Sequence, residues 1–168
     1  APLGVHFHED CGTAVANSLA GIRNGAAHVQ GTINGWGERC GNANLCSIIP
    51  NLVLKTDFET SCASELHHLT NLSRFVAEKA NIIPDKRSPY VGVAAFSHKA
   101  GQHVDVLNKA SELMEHIDGG LVGNKRSILL SELAGKSTIV RKLEKYGTYD
   151  KNSKEVTSLT GILKQKEN

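Results

Sequence analysis

Residues 3–13, LGVHFHEDCGT, decide the fold of this chain because apolar and polar side chains alternate along them. Leu3, Val5 and Phe7 fall on one face and the residues between them on the other, which is the period of a β-strand. Gly12 follows and favours a turn. The pattern therefore predicts a strand that ends in a glycine turn.

The next segments extend this arrangement along the chain. The patterns predict a helix over 14–24, a second strand over 28–33 and another helix over 43–54, interrupted near Pro50. Strands that alternate with helices indicate a parallel sheet. Two such strands are too few for a stable sheet, because parallel sheets are buried on both faces. We therefore expect these elements to belong to a larger α/β structure.

The remainder of the chain has a more helical pattern. A helix is predicted over 63–80, a strand over 126–130 and an amphipathic helix over 138–146. The 168 residues carry 19 basic and 17 acidic side chains, which gives no basic surface for nucleic acid. The apolar runs are far shorter than the ~20 residues of a membrane span. We expect no nucleic-acid partner, no membrane partner and a cytoplasmic location.

Two histidines spaced two residues apart are the strongest chemical signal. His6 and His8 share a face at the carboxyl end of the first strand, where α/β folds carry their active sites. Two imidazole nitrogens suit a divalent metal. The alternative is that they are core histidines, which a lone histidine would favour. The pair, followed by Glu9 and Asp10, favours a metal site.

A glycine-rich segment, GWGERCGN at 35–42, follows the second strand and is expected at the same edge of the sheet. Glycines let a backbone approach a ligand closely, and Asn42 offers a metal its carbonyl oxygen. Glu38 and Arg39 are candidates to orient substrate or to hold the loop. Glycines that merely permit turns explain this segment equally well.

Six further histidines lie outside the first strand. His98 and His103 are candidate general bases near neutral pH, although surface histidines are common. The other four, at positions 28, 67, 68 and 116, are interpreted as ordinary surface side chains.

Several segments together resemble the family of 2-isopropylmalate, homocitrate and citramalate synthases. They are HFHEDCG at 6–12, GTINGWGERCGNAN at 31–44, AAFSHKAGQHV at 94–104 and EHIDGGLVGN at 115–124. Residues 40–52 and 131–137 are most similar to the citramalate synthases within it. The resemblance covers about residues 3–147.

This resemblance implies a TIM barrel followed by a helical linker region. By position, residues 1–57 would form the C-terminal part of the TIM-barrel catalytic domain, namely its last two βα units. Residues 58–147 would form a mostly helical linker subdomain, and residues 148–168 a polar C-terminal helix or tail. The first six barrel strands and a regulatory domain would be missing.

The resemblance also implies an acyltransferase reaction that condenses acetyl-CoA, as cosubstrate, with a 2-oxo acid. Pyruvate and (R)-citramalate are the expected substrate and product. A 2-isopropylmalate or homocitrate synthase is the first alternative, and a non-catalytic interaction module derived from the family is the second. His6, His8 and Asn42 match the family's ligands for a divalent Zn, Mn, Mg or Co ion. His103 matches the proposed base, which often reaches the site across a homodimer.

The chain departs from the family pattern at three positions. Glu9 replaces the usual Asn, Cys11 is atypical, and Met114 replaces a common Tyr. In addition, the family's metal-binding Asp, the adjacent Arg and the catalytic Glu lie on strands that this sequence does not contain. The 168-residue chain by itself is therefore expected to be inactive and to bind metal weakly.

Overall fold

The computed structural model of the chain describes residues 1–99, 114–129 and 136–165. Its strands are β1 (Leu3–His6), β2 (Ala26–Gln30), β3 (Ser97–Lys99) and β4 (Ser127–Leu129). Its α-helices are α1 (Ala14–Arg23), α2 (Leu45–Lys55), α3 (Leu69–Ala80), α4 (Lys136–Leu143) and α5 (Lys154–Gln165). The 3₁₀ helices are Ile33–Gly35, Ala63–His68, Gly119–Val122 and Glu144–Tyr146.

These elements form two compact units. The first contains Ala1–Ala95 and Gly119–Lys125, and the second contains the described residues of Phe96–Asp118 and Arg126–Asn168. Within the described ranges, no helix is both long and apolar enough to cross a membrane.

The first unit contains the predicted strand, helix and second strand in parallel pairing. Val5 lies opposite Val29 and His6 opposite Gln30, with α1 as the connection between the strands. Its small core contains Ala14, Ala43 and Ile48, and several half-buried side chains, including Phe7 and Val29, pack against it. The alternation along the first strand therefore directs Phe7 inward and leaves its two histidine neighbours exposed.

Two predicted features of the helices are wrong. α2 is not interrupted: Pro50 lies inside it and is buried, so packing offsets the backbone hydrogen bond that proline cannot donate. The helix predicted over 63–80 is a 3₁₀ helix, Ala63–His68, followed by α3. Leu66 and Leu69 are both buried, and their spacing matches the three-residue turn of the 3₁₀ helix.

The described part of the second unit contains a short parallel strand pair, two α-helices and a 3₁₀ helix. Ser97 pairs with Ser127 and His98 with Ile128, which confirms the strand predicted over 126–130. The helix predicted over 138–146 is present as α4 and the 3₁₀ helix that follows it. Ile139 of α4 and Val156 of α5 are buried, at 3% and 0% exposure.

Candidate metal centre

The carboxyl end of β1 presents two imidazole rings side by side. The ring centroids of His6 and His8 are 5.1 Å apart with an angle of 75° between the planes, and both side chains are exposed. Phe7 between them packs on the core. The structure thus brings together the two histidines that the two-residue period places on one face.

Backbone hydrogen bonds join the residues after β1 to the end of the glycine-rich loop. Ala43 N donates to Phe7 O at 2.9 Å, and Glu9 N donates to Gly41 O at 2.9 Å. Between these two bonds, His8 and Asn42 form an antiparallel bridge. The third predicted ligand therefore lies directly beside the second.

One polar atom of the Asn42 side chain has a hydrogen-bond partner and the other has none. Its Nδ2 donates to the Trp36 carbonyl oxygen at 3.3 Å. Its Oδ1 is buried and is, among the described residues, the one buried side-chain polar atom without a hydrogen-bond partner. Leaving a buried acceptor unpaired costs about 1–3 kcal/mol. Two imidazole nitrogens and this oxygen form a mixed donor set that fits a divalent metal.

Two glycines allow this arrangement. A Cβ on Gly37 would lie 2.1 Å from Asn42 Nδ2, so only glycine leaves room for the asparagine side chain. A Cβ on Gly41 would lie 2.1 Å from the Gly35 carbonyl oxygen. Gly37 thus permits the position of a predicted ligand, in addition to any role in turning the chain.

Replacing Gly41 with alanine is expected to weaken metal binding at least about tenfold, the range typical for residues that support metal ligands. Gly25→Ala is the matched control, because both glycines have a positive φ, +94° and +98°, but nothing lies within 4 Å of a Cβ at Gly25. We expect the control to lose only about 1 kcal/mol of stability through backbone strain. Metal titration measures the metal affinity of both variants, and chemical denaturation measures their stability. Equal effects of the two substitutions on metal affinity would contradict the prediction.

An ion pair ties the loop to the turn after β1. Arg39 Nε is 2.7 Å from Asp10 Oδ1, and Arg39 Nη2 is 2.9 Å from Asp10 Oδ2. The hydrogen bond from Arg39 holds the pKa of the Asp10 carboxyl below its usual value. Glu38 is exposed, and its carbonyl oxygen accepts a hydrogen bond from Gly41 N at 2.9 Å. Of the two roles considered for Arg39, this geometry favours holding the loop.

Asn34 is a loop residue that sequence reasoning missed. Its Nδ2 donates to Ser73 O at 3.0 Å, and its Oδ1 accepts from Ser73 Oγ at 2.6 Å, which attaches the loop to α3. Cys46 Sγ lies 3.7 Å from the same Oδ1, and burial raises the pKa of this thiol. The available signal was the Asn34-Gly35 pair, since Asn tolerates a left-handed backbone; its φ is +65°.

A cavity of about 230 Å³ borders this loop. Apolar side chains such as Trp36 and Val91 line it together with the cationic Arg74 and Lys86 and the anionic Asp85. The space beside the loop therefore combines apolar walls with charged groups of both signs.

In the second unit, His98 belongs to a network around a buried carboxylate. Its Nε2 lies 2.9 Å from Oε1 of Glu115, whose side chain is 5% exposed. Arg126 donates Nε–H to the same oxygen at 2.7 Å and Nη2–H to Oε2. The hydrogen bond from Arg126, followed by that from His98, lowers the pKa of Glu115.

The remaining predicted site residue is His103, which lies outside the described residues. The four histidines interpreted as surface side chains are all exposed: His28, His67, His68 and His116.

Two protein families match this chain. Residues 1–76 match the HMGL-like family, and residues 90–168 match the family described as homocitrate synthase post-HMGL domain-like.

Individual relatives match both segments together. The (R)-citramalate synthase of Synechocystis sp. is 48% identical over 166 residues, which cover 98% of this chain and 30% of that protein. The (R)-citramalate synthase of Geobacter sulfurreducens is 52% identical over 146 residues, or 87% of this chain and 28% of that protein. The homocitrate synthase of Pyrococcus abyssi is 39% identical over 163 residues, which cover 97% of this chain and 44% of that protein. The chain thus spans about 30% of the length of the citramalate synthases it matches.

Proposed function

Because residues 1–76 belong to the HMGL-like family and residues 90–168 to the homocitrate synthase post-HMGL domain-like family, we propose that this chain is part of an acyltransferase that makes (R)-citramalate from acetyl-CoA and pyruvate. Similarity of 44–52% to several (R)-citramalate synthases supports this choice within the family. We further propose that residues 1–57 are the last two βα units of a TIM barrel, and that residues 58–147 are its linker subdomain.

The observation that carries the proposal is the buried, unpartnered Oδ1 of Asn42, a residue bridged to His8, whose ring centroid lies 5.1 Å from that of His6. The imidazoles and this oxygen would hold a Zn, Mn, Mg or Co ion. When bound, the ion would act as a Lewis acid on the keto oxygen of the 2-oxo acid. Holding these three donors on paired backbone segments reduces the reorganisation needed when substrate binds.

His103 is proposed as the general base that removes a proton from the methyl group of acetyl-CoA. The resulting carbanion forms a carbon–carbon bond with the keto carbon of pyruvate, and the keto oxygen takes a proton. Water then hydrolyses the thioester, which releases coenzyme A and leaves the second carboxylate group on citramalate. Arg39, paired with Asp10, would hold the loop that carries Asn42 during this sequence, and Glu38 would help to position substrate.

From the family resemblance, we also propose that each subunit of a homodimer supplies its His103 to the site of the other subunit. A non-catalytic interaction module is the alternative function, supported by the departures at Glu9, Cys11 and Met114.

A substrate comparison tests the proposed reaction in the whole synthase. We expect kcat/KM for pyruvate to exceed that for a 2-oxo acid with an isopropyl group, or one with a second carboxylate, by at least about tenfold. Release of free thiol from acetyl-CoA measures each rate. A preference for either larger acid would assign the chain to the 2-isopropylmalate or homocitrate branch. No thiol release with any of the three acids would support the non-catalytic alternative.

A further inference from the structure

We propose that Glu65, His67 and His68 form a second site for a divalent transition metal. Two imidazole nitrogens and one carboxylate oxygen lie within 4.8 Å of one another, and all three side chains are exposed. The site shares no residue with the centre at His6, His8 and Asn42. The proposed condensation does not require it, so it is an independent binding property of the chain.

The 3₁₀ conformation of Ala63–His68 creates the cluster. In a 3₁₀ helix, side chains at i and i+3 eclipse each other, whereas an α-helix would offset them by roughly 60°. Glu65 and His68 have this spacing, and Glu65 Oε2 lies 3.7 Å from His68 Nε2. The His67 ring lies against the His68 ring, with centroids 3.9 Å apart and an angle of 42° between the planes.

The backbone that carries these side chains is anchored from both sides. Leu66 and Leu69 are 6% and 4% exposed. Gly123 packs so closely that a Cβ there would lie 2.2 Å from the His67 carbonyl oxygen. The Thr70 hydroxyl donates to Val122 O at 2.7 Å. Three exposed side chains therefore project from a backbone that packing holds in place, which lowers the ordering cost of binding an ion.

Two imidazoles and one carboxylate are a donor set for later first-row metals, with open positions left for water. Metal–ligand distances of about 2.0–2.2 Å require the three donor atoms to move closer than they are in the structure. Exposed side chains can do this by rotamer changes alone. The order of divalent affinities favours Cu²⁺, Zn²⁺ and Ni²⁺ over Mn²⁺ at such a nitrogen-rich site.

Zinc binding to the whole synthase that contains this chain tests the proposal. In a His6→Ala/His8→Ala background, which removes the first centre, equilibrium dialysis with Zn²⁺ is expected to find one bound ion. Adding His67→Ala and His68→Ala should weaken this binding at least tenfold, and Glu65→Gln should weaken it less. His28→Ala is the matched control, since it removes another exposed histidine from the same unit.

The whole synthase without the His6 and His8 substitutions supplies a second comparison. The number of zinc ions bound per chain should fall by one in His67→Ala/His68→Ala. The increase in melting temperature that added Zn²⁺ causes should become smaller in the same variant. Equal zinc affinity with and without His67 and His68 would overturn the proposal. An equal loss in His28→Ala would also overturn it, because binding would then be distributed over surface histidines.

Discussion

Replacing His6 and His8 together with alanine in the whole synthase should lower the rate of condensation at least about a thousandfold. A bound metal contributes several kcal/mol to stabilising charge on a polarised carbonyl, and each 1.36 kcal/mol corresponds to about a factor of ten in rate. Both side chains are exposed, so their removal leaves the packing of Phe7 and the core intact. The lost rate should therefore come without unfolding.

Metal content and coenzyme A release are the two measurements for this pair of substitutions. They are made in a His67→Ala/His68→Ala background, so that the second proposed site contributes no metal. His28→Ala is the control and should keep both the metal and the rate. Unchanged metal content and rate after removal of His6 and His8 would refute the metal centre and favour the non-catalytic module.

Glu115→Gln should destabilise the second unit by at least about 2 kcal/mol. Breaking a buried ion pair costs about 3–5 kcal/mol, and the figure here is lower because the Arg126 side chain is 30% exposed. The substitution keeps the size of the side chain but leaves the Arg126 guanidinium without its carboxylate. Glu144→Gln, at an exposed position in the same unit, should change stability by less than about 0.5 kcal/mol.

The same carboxylate gives the stability of this unit a defined pH dependence. The pKa of Glu115 is lowered in the folded chain from 4.5, chiefly by the Arg126 hydrogen bond. Its contribution is therefore fully present above the unfolded pKa and is lost as the pH falls through the folded pKa. Denaturant titrations from about pH 7 to about pH 3 measure the free energy of unfolding of the parent chain and of Glu115→Gln. The difference between the two should disappear in the acid range. A constant difference between the two chains would contradict this assignment.

Much of the first unit could be predicted from local patterns. The alternation of Leu3, Val5 and Phe7 predicts β1, and the spacing of His6 and His8 predicts that their rings lie side by side. The motifs also identified the family, which the two family matches and the 44–52% identity to citramalate synthases confirm. These features were accessible because each depends on residues that are close in sequence.

Predictions failed where distant contacts outweigh local preference. Pro50 favours a break, but burial of α2 keeps the helix continuous. The segment Ala63–His68 has a helical pattern, but it forms a 3₁₀ helix that packs against Gly123. That change of helix type brings Glu65 and His68 together, which the sequence by itself does not indicate.

The sequence by itself determined the family, the βα order and the pair of histidines, because side-chain periodicity and motif spacing are local properties. Only the tertiary structure decided that the Asn42 oxygen is buried without a partner beside His8, and that Glu115 joins His98 to Arg126. Both arrangements depend on backbone segments that are far apart in the chain and meet only when apolar surface is buried. Which polar atoms then keep or lose their partners follows from that packing.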